Sequence, residues 1–161
     1  MANFFSTQVT QLMATPPTRQ KANLLGGRMR FSFGQFTNPA SGGAAIADVV
    51  YWTRVPKGGR VIGSLSRLNY ATGAASCTMN VGDTVSATRY MTATSIATAG
   101  NTTLFLRDSS GQIPYEITDE SRDLATGLPA STNDSDLKSV VAGADVAASQ
   151  VIGLHVIYVA D

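Results

Sequence analysis

Apolar and polar residues alternate with a period of two over short stretches, separated by clusters of Gly, Pro, Asn, Asp and Ser, and this pattern predicts strands joined by turns. From Arg28 to Phe36, Met29, Phe31 and Phe33 alternate with Arg30, Ser32 and Gly34, giving a strand with one apolar and one wet face. Ile46 to Val55 predicts a second strand, but both parities are apolar: Val50 and Trp52 on one side, Val49, Tyr51 and Val55 on the other. That pattern points to burial on both faces, or to one face held in a subunit contact. Val55-Pro56-Lys57-Gly58-Gly59-Arg60-Val61 follows as a hairpin-like turn, because proline removes a backbone donor and Gly58 and Gly59 tolerate positive φ.

Val61 to Tyr70 reads as a third strand, and Cys77, Met79 and Val81 alternate with Thr78 and Asn80 as a fourth. Asp83 fits the cap of a short helix through Arg89, Tyr90 and Met91. Thr102 to Arg107 and Ile113 to Thr118 read as strands, and residues 119 to 136 as a polar, turn-prone loop. Leu137 to Ala144 fits either a strand or a helical face. The last run, Val151 to Ala160, is apolar on both parities and reads as a central strand. About eight strands with almost no helix imply an all-β, two-sheet sandwich.

Residues 1 to 27 show no sustained period and contain Pro16-Pro17 and no acidic residue. Ordering such a segment costs on the order of 1 to 2 kcal/mol per residue in backbone entropy, so it needs a surface to lie on. Its anchors are Phe4, Phe5, Leu12, Met13, Leu24 and Leu25, with Arg19 and Lys21 as charged handles. The organisation expected is an extended arm, 1–27, before a sandwich domain, 28–161.

Charged residues are 14% of the 161, against a usual share of about 25%, which suggests that other subunits cover part of the surface. The exposed parts of the second and last strands, with Val49, Tyr51, Ile157 and Val159, are the self-association candidates. Charge is split along the chain, with nine acidic residues after position 107 and only Asp48 and Asp83 before it. The basic residues are scattered and lack a stacking set of aromatics, so no nucleic-acid partner is expected. No apolar run approaches a membrane span, and no signal-peptide pattern opens the sequence, so synthesis in the cytoplasm and no membrane partner are expected.

Candidate chemistry is sparse. Cys77 and His155 are the only residues of their types, too few for a disulfide or a Cys/His zinc site in one copy. His155 lies in an apolar strand and reads as structural, Cys77 as a buried thiol, and Trp52 as core. Asp119, Glu120 and Asp123, or Asp134 and Asp136, lack the spacing of a calcium loop. No cofactor, metal or catalytic residue is expected, and the protein reads as a non-enzyme.

The opening Met1-Ala2-Asn3-Phe4-Phe5-Ser6-Thr7-Gln8, the Val55–Val61 turn, Asn80-Val81-Gly82-Asp83, Arg89-Tyr90-Met91, Ala97-Thr98-Ala99-Gly100 and the closing Val156-Ile157-Tyr158-Val159 together resemble the cement, or decoration, proteins of tailed-bacteriophage heads. Gly59 stands where that pattern leads one to expect Ala, and the acidic loop from Asp119 to Asp136 is less familiar. The resemblance implies a jelly-roll domain on the outer capsid surface, a homodimer or alternatively a homotrimer, that clamps the major capsid protein through its arm. It also favours strand for Leu137 to Ala142. A carbohydrate- or receptor-binding jelly-roll module of a virion fibre is the rival reading.

Overall fold

The structure, a computed structural model, describes residues 27–83, 85–105, 116–117 and 134–160, the last stretch by its backbone alone up to residue 136. Nine strands occur among them: β1 (Arg28–Thr37), β2 (Val49–Pro56), β3 (Arg60–Val61), β4 (Arg67–Tyr70), β5 (Thr78–Val81), β6 (Met91–Ser95), β7 (Gly100–Thr103), β8 (Asp134–Ala142) and β9 (Val151–Ala160). Every pairing is antiparallel. The larger sheet runs β1-β9-β4-β7, with β3 also on β9, and the smaller runs β2-β8-β5-β6. The two form the all-β sandwich that the alternation predicted, and it is jelly-roll-like, as the resemblance implied.

The last run is the central strand expected. Its even positions, Ile152, Leu154, Val156, Tyr158 and Ala160, are buried in the core, and its odd positions turn outward. From the smaller sheet, Val50, Trp52, Val55, Met79, Val81, Leu137 and Val141 meet them. The doubly apolar second strand has a local cause. The β2–β8 register shifts between Tyr51 and Thr53, which leaves Trp52 as an extra residue and reverses the parity beyond it. Val50, Trp52 and Val55 therefore all face inward, and the Trp52 indole N–H donates to Ser139 Oγ at 2.7 Å.

The turn after β2 is a corner, not a hairpin, because β2 and β3 lie in different sheets. Gly58 alone adopts positive φ, at 81°, while Gly59 is buried where a Cβ would meet Pro56 O at 2.9 Å. The Gly58 N–H donates to Ile117 O, and Ile117 N–H returns to Gly59 O, which ties the corner to the buried Ile117. The predicted third strand is broken by a 3-10 turn at Gly63–Leu65, so that β3 and β4 line up end to end along β9.

Asp83 caps a turn and no helix forms there. Its carboxylate accepts the Val85 and Ser86 N–H groups and pairs with Arg89 at 2.7 Å, and the chain then enters β6. At the end of the sandwich near residue 150, two buried amides join the loops. Asn38 donates to Val146 O and Ala147 O, and Gln150 donates to Ala71 O and Ile96 O.

The reversal that matters most is in β1. An alternating strand ordinarily buries its apolar face, yet Met29, Phe31 and Phe33 are 65%, 62% and 46% exposed. The cause is the close approach of β1 to β2. A Cβ on the inward-facing Gly34 would sit 2.3 Å from Trp52 O, and the Ser32 hydroxyl hydrogen-bonds to that of Thr53. No large side chain fits between these backbones at Ser32 and Gly34, so Met29, Phe31 and Phe33 face out, while Phe36, further along the inner parity, packs against the core.

Candidate functional site

Of the exposed large apolar side chains among the described residues, Met29, Phe31, Phe33 and Val151 stand on the outward face of the larger sheet. Across β1 and β9, Met29 stands opposite Val159, Phe31 opposite Ile157 and Phe33 opposite His155. On the other side of β9, Arg67 stands opposite His155 and Asn69 opposite Gly153. The His155 imidazole makes edge contacts with both phenyl rings, 4.7 Å from Phe33 and 5.8 Å from Phe31 between centroids. It is thus a half-buried residue of the outer face, where the odd parity of β9 puts it, and not a core histidine.

Beside this row the face opens into a shallow cleft of about 300 Å³, lined by Phe33, Asn69, Tyr70, Gly100, Gly153 and His155 among others. Gly153 makes the floor. Its missing side chain lets the Phe33 ring lean across, 3.3 Å from where a Cβ would be. Arg67 is the one exposed charged side chain among the outward positions of β1, β9, β4 and β7. At the β3 end of the same sheet Arg60 stands opposite Val159 and is paired with Glu116.

The outward face of the smaller sheet differs. Val49 and Tyr51 are each 40% exposed, but their neighbours across β8 and β5 are Val140, Lys138, Asn80 and Thr78. The Lys138 ammonium sits 5.9 Å from the centre of the Tyr51 ring, and Asn80 Oδ1 accepts the Val140 N–H. A second, open cleft of about 440 Å³ lies where β2 begins, lined by Phe36, Pro39, Ala44, Asp48, Val49 and Tyr51 among others.

The self-association candidates are therefore divided: Ile157 and Val159 belong to the larger sheet's outer face, Val49 and Tyr51 to the smaller sheet's. Sequence reasoning missed Met29, Phe31 and Phe33 as surface residues. The available signal was Gly34 on the opposite parity, since a residue without a side chain in mid-strand marks close backbone approach. The expected arm anchors Phe4, Phe5, Leu12, Met13, Arg19, Lys21, Leu24 and Leu25 lie outside the described residues, as do the acidic positions 119 to 123. Cys77 is fully buried, and burial, with Asp145 adding to it, raises its thiol pKa, so the reactive thiolate is disfavoured. Among the described residues no three His, Cys, Asp or Glu side chains gather as a metal site, and no helix is long and apolar enough to cross a membrane.

No protein-family model matches the chain, and no curated protein matches it in sequence. Solved structures do match its fold. A chain of the capsid asymmetric unit of cyanophage Pam1 superposes with a TM-score of 0.57 at 23% identity, covering 84% of this chain and 87% of that one. A chain of the capsid of Ralstonia phage GP4 superposes with a TM-score of 0.54 at 16% identity, covering 84% and 86%. The sandwich is thus one already seen, over nearly its whole length, in chains of two phage capsids.

Proposed function

We propose that this chain is a structural component of a bacteriophage virion: a cement, or decoration, protein that sits on the outside of the head and stabilises contacts between major capsid protein subunits. The observation that carries the reading is the fold it shares with two phage-capsid chains over more than four-fifths of each partner. The exposed Met29, Phe31 and Phe33, with the half-buried Ile157 beside them, support it, since such a face suits assembly, whereas the described residues offer no nucleophile with an oriented base.

The mechanism is mass action. A protein that binds the assembled lattice and not separated subunits stabilises the lattice. In this reading residues 1–27 form the arm, with Phe4, Phe5, Leu12, Met13, Leu24 and Leu25 as apolar anchors and Arg19 and Lys21 as handles on the major capsid protein. The domain contact and the arm contact then share one effective concentration, so the joint hold exceeds either alone.

Deleting residues 2 to 24 and measuring co-sedimentation with heads tests both levels. The expected result is weakened attachment of a chain that keeps its β-sheet circular dichroism. Full occupancy by the truncated chain removes the arm from the account, and absence of the intact chain from purified virions removes the virion role.

A further inference from the structure

We propose that the free edge of β1 is a docking site for an extended, acid-bearing segment of the major capsid protein, which adds to the larger sheet as a further strand. The inference rests on the virion reading for its partner and names where on this chain that partner is held.

β1 ends the larger sheet, and the bonding of β9 shows which way its backbone points. Ala71 N–H donates to Val151 O and Ile62 N–H to Ile157 O, so the odd positions of β9 bond on the side of β3 and β4. Alternate residues of an antiparallel strand bond on opposite sides, which leaves the even positions of β9 for β1. Their partners in register are Arg28, Arg30, Ser32, Gly34 and Phe36. The N–H and C=O groups of Met29, Phe31, Phe33, Gln35 and Thr37 therefore point away from the sheet, and among the described residues nothing pairs with them. Ten residues in unbroken register, with no proline, lysine or bulge, form a template for another strand.

Charge selects the occupant. Arg28 and Arg30 hold the inner parity at the start of β1, yet both are exposed, so the smaller sheet does not reach under that end. The inner side there opens into a cavity of about 210 Å³, lined by Arg30, Pro56, Lys57, Gly58, Tyr158 and Ala160. Neither Arg28 nor Arg30 is ion-paired among the described residues. A strand laid along β1 sets every second side chain beside these two arginines, where an opposite charge is favourable and a like charge is not. Two occupants from this chain lack that charge. The β1 of a second copy brings the same arginines and no acid, and residues 1–27 hold no acid. On the other parity the added side chains lie beside the exposed Met29, Phe31 and Phe33, which favours apolar residues. The segment thus alternates acidic with apolar positions, its main chain giving affinity and its side chains specificity.

The test combines co-sedimentation with heads assembled from the major capsid protein alone and hydrogen exchange of the full chain. Phe31→Pro removes an edge-facing N–H that β9 does not use, so the sheet keeps its bonds while the template is interrupted. Phe31→Ala removes the same side chain and keeps the N–H. The expected result is that Phe31→Pro binds roughly tenfold more weakly than Phe31→Ala, and Arg30→Glu roughly tenfold more weakly than the wild type. Equal binding by the two Phe31 variants, or wild-type binding by Arg30→Glu, overturns the proposal and leaves attachment to heads in place. A wild type that does not bind these heads overturns it too, and only its absence from purified virions removes the virion reading as well.

Should Phe31→Pro fail to fold, exchange of the wild type decides. Amides of Met29, Phe31, Phe33, Gln35 and Thr37 that exchange freely in the dilute chain and slow on heads support the site. Amides that stay fast on heads sink it. So do amides already slow in the dilute chain, which show an edge covered by the chain's own residues, and amides that slow with concentration alone, which show a second copy.

Discussion

The two sheets bury similar side chains against each other but turn different surfaces to the outside. On the larger sheet the outer row is Met29, Phe31, Phe33 and Ile157, while on the smaller sheet Val49 and Tyr51 share their face with Thr78, Asn80 and Lys138. The contrast arises from packing between the sheets. Where β1 crosses β2 the backbones come so close that Gly34 and Ser32 take the inner positions and the aromatics are left outside. Over β2 and β8 the bulge at Trp52 does the opposite and gathers apolar residues of both parities into the core. Hydrophobicity alone did not decide which side of either strand is wet.

The most damaging change to this arrangement is Gly34→Val. The obstacle is the main-chain oxygen of Trp52, which cannot rotate away as a side chain would, so β1 and β2 must separate. A loss of about 4 kcal/mol in urea unfolding, with greater exposure of Trp52 to fluorescence quenchers, is expected. A loss under about 1 kcal/mol would mean that the close approach is not what holds the aromatic parity outward.

The two sides of the larger sheet can then be compared through Leu154 and Phe31. Leu154 is fully buried opposite Gly34 and Leu68, so Leu154→Ala should cost about 3 kcal/mol. Phe31→Ala, measured at a dilution where the chain is monomeric, should cost about 1 kcal/mol, from strand propensity and the edge contact with His155. Equal losses would show that the outer row is covered within one copy.

Much of the sandwich was legible along the chain, and what was not has identifiable causes. β9 declared itself because a ten-residue run apolar on both parities fits only a strand flanked on each side. The corner at Pro56 to Gly59 was legible as a reversal, but whether it closes a hairpin or passes between sheets depends on partners far away in sequence. β6, Met91–Ser95, is mostly Thr, Ala and Ser and offers no apolar alternation, so its pairing with β5 was invisible. The bulge at Trp52 could not be read because it is a property of the β2–β8 pair. Alternation in β1 gave two faces without saying which is inside. Of the candidate surface, Ile157 and Val159 followed from the pattern of β9, whereas the exposed half on β1 needed the contact at Gly34.

The outer face of the smaller sheet offers the mildest test, and the one that best defines the difference. Tyr51 and Lys138 are directly opposed across β2 and β8, and the ammonium lies near the ring of Tyr51 at 5.9 Å from its centre. An exposed cation–π pair contributes about 0.5 kcal/mol, because water competes for the ammonium. A double-mutant cycle of Tyr51→Ala and Lys138→Gln should therefore return a coupling near that value, about 0.5 kcal/mol, and should return it equally from dilute and concentrated protein. The last condition is the informative one. If the coupling grows with concentration, Tyr51 lies in a contact between copies. If it holds constant, the smaller sheet is a solvated face whose few apolar residues are satisfied by their own neighbours, with the Lys138 ammonium over the Tyr51 ring.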